Sequence, residues 1–135
     1  MSDITKAVFD VLVGNAPLVA LLNTYESLPA IFTTRPTPDG AVFPYIISAG
    51  NVDESPDDTK TFEQRVVERD IECYTDATGD ASVVEDIAEK VRALFHRQPM
   101  TIANFTNIIV SAVVRTNDGE DFYGRVVSVT FLLKV

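Results

Sequence analysis

The sequence predicts an α+β domain: an antiparallel sheet of about four strands, built as two hairpins, with two main helices packed on one face. Three observations lead to this fold class. Apolar residues recur at helical spacing near the N-terminus and over residues 84–95, and residues 61–75 and 123–135 alternate between apolar and polar as strands do. The elements also follow one another as helix, strand pair, helix, strand pair. The 135 residues suit a single domain spanning 1–135.

The two main helices are recognised by their apolar stripes. The first covers residues 3–13, and a break at Gly14-Asn15 separates it from a short helix over residues 16–22. The second main helix is capped by Asp80 and stopped before Pro99. Its apolar face consists of Val84, Ile87, Ala88, Val91, Leu94 and Phe95.

The first strand pair follows a stretch broken by prolines. Residues 23–44 hold four prolines, counting Pro44 at their end, and a glycine, and only residues 31–34 fit a short strand there. Residues 45–49 are predicted as a buried strand, residues 51–60 as a loop because of their acidic composition, and residues 61–75 as the partner strand.

The second strand pair has an unusual first member. Residues 105–115 are apolar on both faces, and an Asp-Gly turn within residues 116–120 leads to the closing strand over 123–135. Helices can cover only one side of this sheet. The other side either meets a partner or is shielded by residues 23–44, and the sequence leaves both alternatives open.

The charge balance excludes some functions. Acidic residues outnumber basic ones by 20 to 11, for a net charge of −9. Wrapping nucleic acid and docking on an anionic membrane both need clustered cations, so neither is expected. The N-terminus lacks a basic and apolar leader, and no apolar run approaches 18 residues, so we expect a soluble intracellular domain.

Few residues are suited to catalysis. His96, the single histidine, lies at a helix end, where a dipole or surface role is the simpler interpretation. Cys73, the single cysteine, lies on the apolar side of its strand, as a small buried hydrophobe would. One histidine and one cysteine cannot supply four soft zinc ligands, and no phosphate-binding or nucleophile motif occurs. The sequence therefore predicts no catalytic residue, no cofactor and no metal site.

The acidic residues are concentrated. Residues 51–80 hold ten acids and three bases, so seven of the nine net negative charges lie there. On the strand over 61–75, Val67, Ile71 and Cys73 point one way, whereas Glu68, Asp70 and Glu72 point the other. The acidic side favours a solvated or interfacial face, with a hard-cation site as the alternative. Arg69 falls on the apolar side, so we expect that side to be only partly buried.

The layout resembles the tail completion proteins of tailed bacteriophages and prophages, also called tail terminator or tail-to-head joining proteins. The resemblance spans nearly the whole chain. It is carried by the N-terminal helix, the stretch ending Pro44-Tyr45-Ile46, the run from Arg69 to Tyr74 after the acidic loop, the helix with Ala88, Val91 and Leu94, and the final hairpin with the run from Asp121 to Val127.

The resemblance implies a virion protein that forms a ring, commonly a hexamer. Such a ring caps the head-proximal end of the tail tube, contacts the tail tube protein and the head connector, and lets DNA pass through without binding it specifically. No membrane is involved. On this basis we expect the acidic loop with Asp53, Glu54, Asp57 and Asp58 to face the lumen or a neighbouring ring. We expect the strand face with Glu68, Asp70 and Glu72 to meet a second subunit.

Two other classes of function remain open from the sequence. The chain could be a small acidic binding module, monomeric or dimeric, whose acidic hairpin recognises a basic partner protein. It could also be a small hydrolase without a known motif.

Overall fold

The computed structural model describes residues 3–34, 37–48, 53–56, 64–100, 102 and 106–134. Three helices lie in these ranges: α1 (Asp3–Val13), α2 (Ala16–Val19) and α3 (Ser82–Phe95). The strands are β1 (Thr24–Tyr25), β2 (Leu28–Pro29), β3 (Ile31–Phe32), β4 (Tyr45–Ile47), β5 (Asp53–Pro56), β6 (Gln64–Asp76), β7 (Thr106–Thr116) and β8 (Phe122–Lys134). The α+β class predicted from the sequence is confirmed.

Three long strands form the centre of the main sheet. Its order is β3-β4-β6-β8-β7, and β5 also pairs with β6. Strand β8 pairs with β6 from end to end, from Gln64 opposite Lys134 to Asp76 opposite Phe122. β7 pairs antiparallel with the other side of β8. β1 and β2 form a separate small hairpin.

The predicted four-stranded antiparallel sheet is not what the structure shows. Six strands belong to the main sheet among the described residues, and β3 pairs parallel to β4, so the sheet is mixed. β4 and β5 lie one after the other along the same edge of β6, opposite residues 72–74 and 65–68 respectively. Of these two short strands, only β4 was predicted.

The loop predicted over residues 51–60 is partly wrong. Residues 53–56 form β5, with Asp53 opposite Glu68 and Pro56 opposite Arg65. Backbone pairing with the long edge of β6 outweighs the weak strand propensity of this acidic segment. The rest of that predicted loop, apart from β5, lies outside the described residues.

The helices cover one face of the sheet and close a single core. α1 buries Ile4, Val8 and Leu12 at helical spacing. α2 is shorter than predicted; its N-terminus is capped by Asn15, whose side chain accepts the backbone N–H of Leu18 at 2.9 Å. From α3, the core receives Val84, Ile87, Ala88, Val91 and Phe95, and from the sheet Val67, Ile71, Cys73, Val110, Ala112, Val127, Val129, Phe131 and Leu133.

The expectation that Arg69 leaves its face partly open is wrong, because Arg69 is fully buried within this core. Its guanidinium donates to the carbonyl oxygen of Ser48 at 2.8 Å, to the Ser48 hydroxyl at 3.3 Å and to the Thr5 hydroxyl at 3.0 Å. Burial lowers the pKa of Arg69 from its usual value. These contacts connect α1, the end of β4 and the middle of β6.

Candidate interaction surface

The face of the sheet opposite the helices is called the bare face here. Its described residues are Val66, Glu68, Asp70, Glu72 and Tyr74 of β6, Val126, Ser128, Thr130 and Leu132 of β8, and Ile109, Ser111, Val113 and Arg115 of β7. The strand register sets them in rows: Val66, Leu132 and Ile109 form one row, and Glu68, Thr130 and Ser111 form the next. The next two rows, Asp70 with Ser128 and Val113 and then Glu72 with Val126 and Arg115, each combine polar and apolar residues.

The apolar part of the bare face lies open on β7. Ile109 is 55% exposed and Val113 is 67% exposed, whereas Val110 and Ala112 on the other side of the same strand are buried. The expectation of two apolar faces on this strand is confirmed. Two exposed β-branched residues on one strand face mark a surface suited to contact with another protein.

Residues 23–44 do not shield this part of the bare face as far as they are described. They approach the sheet at its opposite edge, where a row of edge-to-face aromatic contacts runs from Tyr25 to Phe32, Tyr45, Tyr74 and Phe122. This row closes the end of the bare face that lies beside β4. The exposed residues of β7 stay outside it.

The three carboxylates predicted to lie on one strand face differ in their contacts. Asp70 accepts from Arg115 at 2.7 Å and from the Ser128 hydroxyl at 2.7 Å. Glu72 is nearly buried and accepts the Tyr74 hydroxyl at 2.7 Å. Glu68 is half-buried and has no hydrogen bond or ion pair with any described residue. Among the three, Glu68 is therefore the carboxylate that can pair with a cation of another molecule.

The acidic residues predicted at the lumen fall into two groups. Asp53 and Glu54 belong to β5, at the edge of the sheet beside β6. Asp57 and Asp58 lie outside the described residues. Within the described part of the chain, no group of three or more His, Cys, Asp or Glu side chains is arranged to hold a metal ion.

The two residues considered for catalysis both have structural contacts. Cys73 is fully buried, and burial raises the pKa of its thiol to about 12, so the nucleophilic thiolate is not available near neutral pH. Nδ1 of His96 accepts the backbone N–H of Ala112 at 3.1 Å. The histidine thereby covers one backbone group on the outer edge of β7, a role that its position at a helix end did not reveal.

Comparison with known proteins identifies the family. The family model described as tail completion protein gp17 matches residues 6–134, which is nearly the whole chain. The chain belongs to this family. The resemblance noted from the sequence is thereby confirmed, and membership gives the chain a structural role in a virion tail.

A solved structure shows the same fold. One chain of the virion of a native gene transfer agent particle is similar to this chain with a TM-score of 0.75 and 19% sequence identity. The similarity covers 98% of this chain and 95% of that chain. No curated protein matches the sequence. In the described part of this family member, no helix is long and apolar enough to cross a membrane.

Sequence reasoning missed the loop that follows α3. Arg97 has a left-handed backbone with φ of 57°, and its N–H donates to the carbonyl oxygen of Val110 at 3.0 Å. The loop lines a groove of about 370 Å³ with Gln98, Pro99, Ile108, Ile109 and Val110. A sequence signal for this loop was present, because no glycine lies between Phe95 and Pro99 although a helix commonly ends at a glycine.

Proposed function

We propose that this protein forms a ring, with six subunits as the expected number, that caps the head-proximal end of a phage tail tube. One side of the ring binds the tail tube protein and stops its polymerisation. The other side binds the head connector. DNA passes through the lumen between head and tail.

The observation that carries the proposal is the exposed apolar surface of β7 in a member of the tail completion family. Ile109 and Val113 stand open to solvent in the single chain. A closed ring is built from heterologous contacts, in which one surface of a subunit meets a different surface of the next. The open part of the bare face suits one side of such a contact.

The acidic segment supports the passage of DNA. Asp53, Glu54, Asp57 and Asp58 lie within six residues of the sequence. We place them at the lumen or against the neighbouring ring, where carboxylates repel phosphate and let the polymer slide. Replacing all four by lysine should make the ring retain double-stranded DNA at physiological salt in a fluorescence anisotropy titration. The unmodified ring should not retain it, and tight DNA binding by the unmodified ring would contradict this placement.

Ring formation is tested with the purified protein. Mass photometry and negative-stain imaging, over a range of concentrations and with tail tubes added, should show closed rings of uniform size. Val113→Lys should abolish them because it puts a charge into the contact. Val83→Lys is the matched control, because Val83 is 47% exposed on α3, on the helix side of the sheet. Rings that persist in Val113→Lys, or a strict monomer even on tubes, would contradict the proposal.

A further inference from the structure

The groove beside β7 lies at a protected edge of the sheet. At the middle of this edge, the Val110 carbonyl and the Ala112 N–H are already bonded to Arg97 and His96. Another strand therefore cannot add by backbone pairing at this level. A protein that docks here must use side chains, and the groove offers the apolar Ile108 and Ile109 with one cation, Arg97.

The backbone at Arg97 suggests that its side chain has a purpose. A left-handed conformation is unfavourable for residues that carry a Cβ, and glycine is the usual residue at this position after a helix. The exposed Arg97 side chain forms no ion pair and no hydrogen bond with a described residue. An arginine at a strained position, whose side chain has no hydrogen bond or ion pair with a described residue, points to a contact outside the chain.

One row of residues across the sheet ends beside the Arg97 loop and has acidic residues at its other end. The register places Asp53, Glu68, Thr130 and Ser111 side by side across β5, β6, β8 and β7. Ser111 is next to Val110, where the Arg97 loop is attached. β5 pairs with no other strand among the described residues, so the acidic end of this row is also an edge. β8 lies between β6 and β7, so the axes of β6 and β7 are about 10 Å apart.

We propose that the Arg97 groove of one subunit receives the acidic end of this row in the next subunit, with Glu68, one strand in from the edge strand β5, as the partner of Arg97. This inference rests on the ring proposed above. The two surfaces differ and carry opposite charge, and β8 lies between the strands beside which they are found, so repeating the contact joins subunits head to tail. Glu68 and Arg97, both without a partner in the described part of one chain, find each other across the contact. Ile109 contributes an apolar side chain to this contact between subunits.

Charge reversal and charge exchange test the pairing. Arg97→Glu and Glu68→Arg should each reduce the fraction of protein in rings at least tenfold, measured by mass photometry. The double variant, which exchanges the two charges, should restore rings to within threefold of the unmodified protein. Lys6→Glu is the control, because it reverses an exposed cation on α1 without touching either surface. Failure of the exchange to restore rings would overturn the pairing.

The Arg97→Gly variant tests the role of the Arg97 side chain in the subunit contact apart from any effect on the stability of the fold. Glycine adopts the left-handed backbone without strain, so the variant should melt at the same or a higher temperature than the unmodified protein. It should nevertheless lose rings as strongly as Arg97→Glu does. If Glu68→Arg does not fold, Glu68→Gln serves in its place with the same expected loss. An Arg97→Gly protein that forms rings normally would show that the side chain is not part of the contact.

Cross-linking reads the contact directly. Arg97→Cys and Glu68→Cys in one chain, joined by a short bismaleimide, should give a ladder of covalent multimers that ends at the ring size. Each single-cysteine variant should give monomers only. The native Cys73 is fully buried and does not interfere. Dimers from one single-cysteine variant would indicate a two-fold contact and overturn the proposal.

The outcomes for the ring and for this contact can be told apart. Rings that form but give no ladder, and that withstand Arg97→Gly, would overturn the Arg97–Glu68 contact and leave the ring intact. Absence of rings in the unmodified protein, with tail tubes present, would overturn both.

Discussion

Replacing Arg69 by methionine should destabilise the monomer although it puts an apolar side chain into an apolar core. Methionine fills most of the volume of the arginine stem, so the effect of a cavity is small. The guanidinium donates to the buried carbonyl and hydroxyl of Ser48, and the substitution leaves both acceptors without this donor. Each orphaned buried group costs about 1–3 kcal/mol.

The net effect is smaller than the sum of these terms. The variant no longer buries a charged group, which offsets part of the loss. We expect Arg69→Met to lower the free energy of unfolding by about 2 kcal/mol, or the melting temperature by about 8 °C for a domain of this size. Urea denaturation followed by circular dichroism measures this value.

A double-mutant cycle with Ser48→Ala isolates the contact. Ser48→Ala removes the hydroxyl acceptor, so the double variant should lose about 1 kcal/mol less than the sum of the two single losses. Arg69→Met with unchanged or higher stability would refute the reasoning, because the buried contacts to Ser48 would then not hold the arginine. Strict additivity in the cycle would refute the role given to the hydroxyl.

Three further predictions concern single residues. The Cys73 thiol should not react with Ellman's reagent at pH 8 until the protein is denatured, and rapid labelling of the native protein would contradict its burial. Because folding raises the pKa of this thiol to about 12, the free energy of unfolding should fall by about 1 kcal/mol per pH unit above pH ~9. The Cys73→Val variant should lack this slope. His96→Ala should lower stability by about 1 kcal/mol because it orphans the Ala112 N–H, whereas His96→Asn, with an acceptor near the position of Nδ1, should retain most of it in thermal melts. Gly124→Ala should abolish soluble folded protein, because an added Cβ would clash with the Asn117 carbonyl oxygen; a native-like melting curve would disprove that close approach.

The elements with a strong local pattern could be predicted from the sequence. α3 matches its stripe of apolar residues, β6 and β8 match their alternation, and β7 matches its two apolar faces, because the described residues of each segment bury one face. β5 and the parallel pairing of β3 with β4 depend on which long strand lies alongside, which local composition does not encode. Arg69 was misjudged for the same reason, since its partner Ser48 is 21 residues away in sequence.

For the candidate surface, the sequence predicted which residues share a strand face but not which side chains contact each other. The alternation of β6 placed Glu68, Asp70 and Glu72 together, and the two apolar sides of β7 indicated that one of them is covered either by a partner or by residues 23–44. Which carboxylate remains unmatched depends on Arg115, 45 residues from Asp70 in sequence. The only sequence signal for Arg97 was the lack of a glycine between Phe95 and Pro99, because the role proposed for this residue depends on a backbone angle and on a hydrogen bond to another element.

The central claim is that a ring of this protein ends the growth of a tail tube. The most direct measurement is cryo-electron microscopy of tail tubes polymerising with and without the protein, with tube length and end structure scored together. We predict tubes that stop growing and carry one closed ring at a single end, and Val113→Lys protein should leave tubes growing with bare ends. Tubes of unchanged length without a ring, in the presence of excess folded protein, would contradict the account.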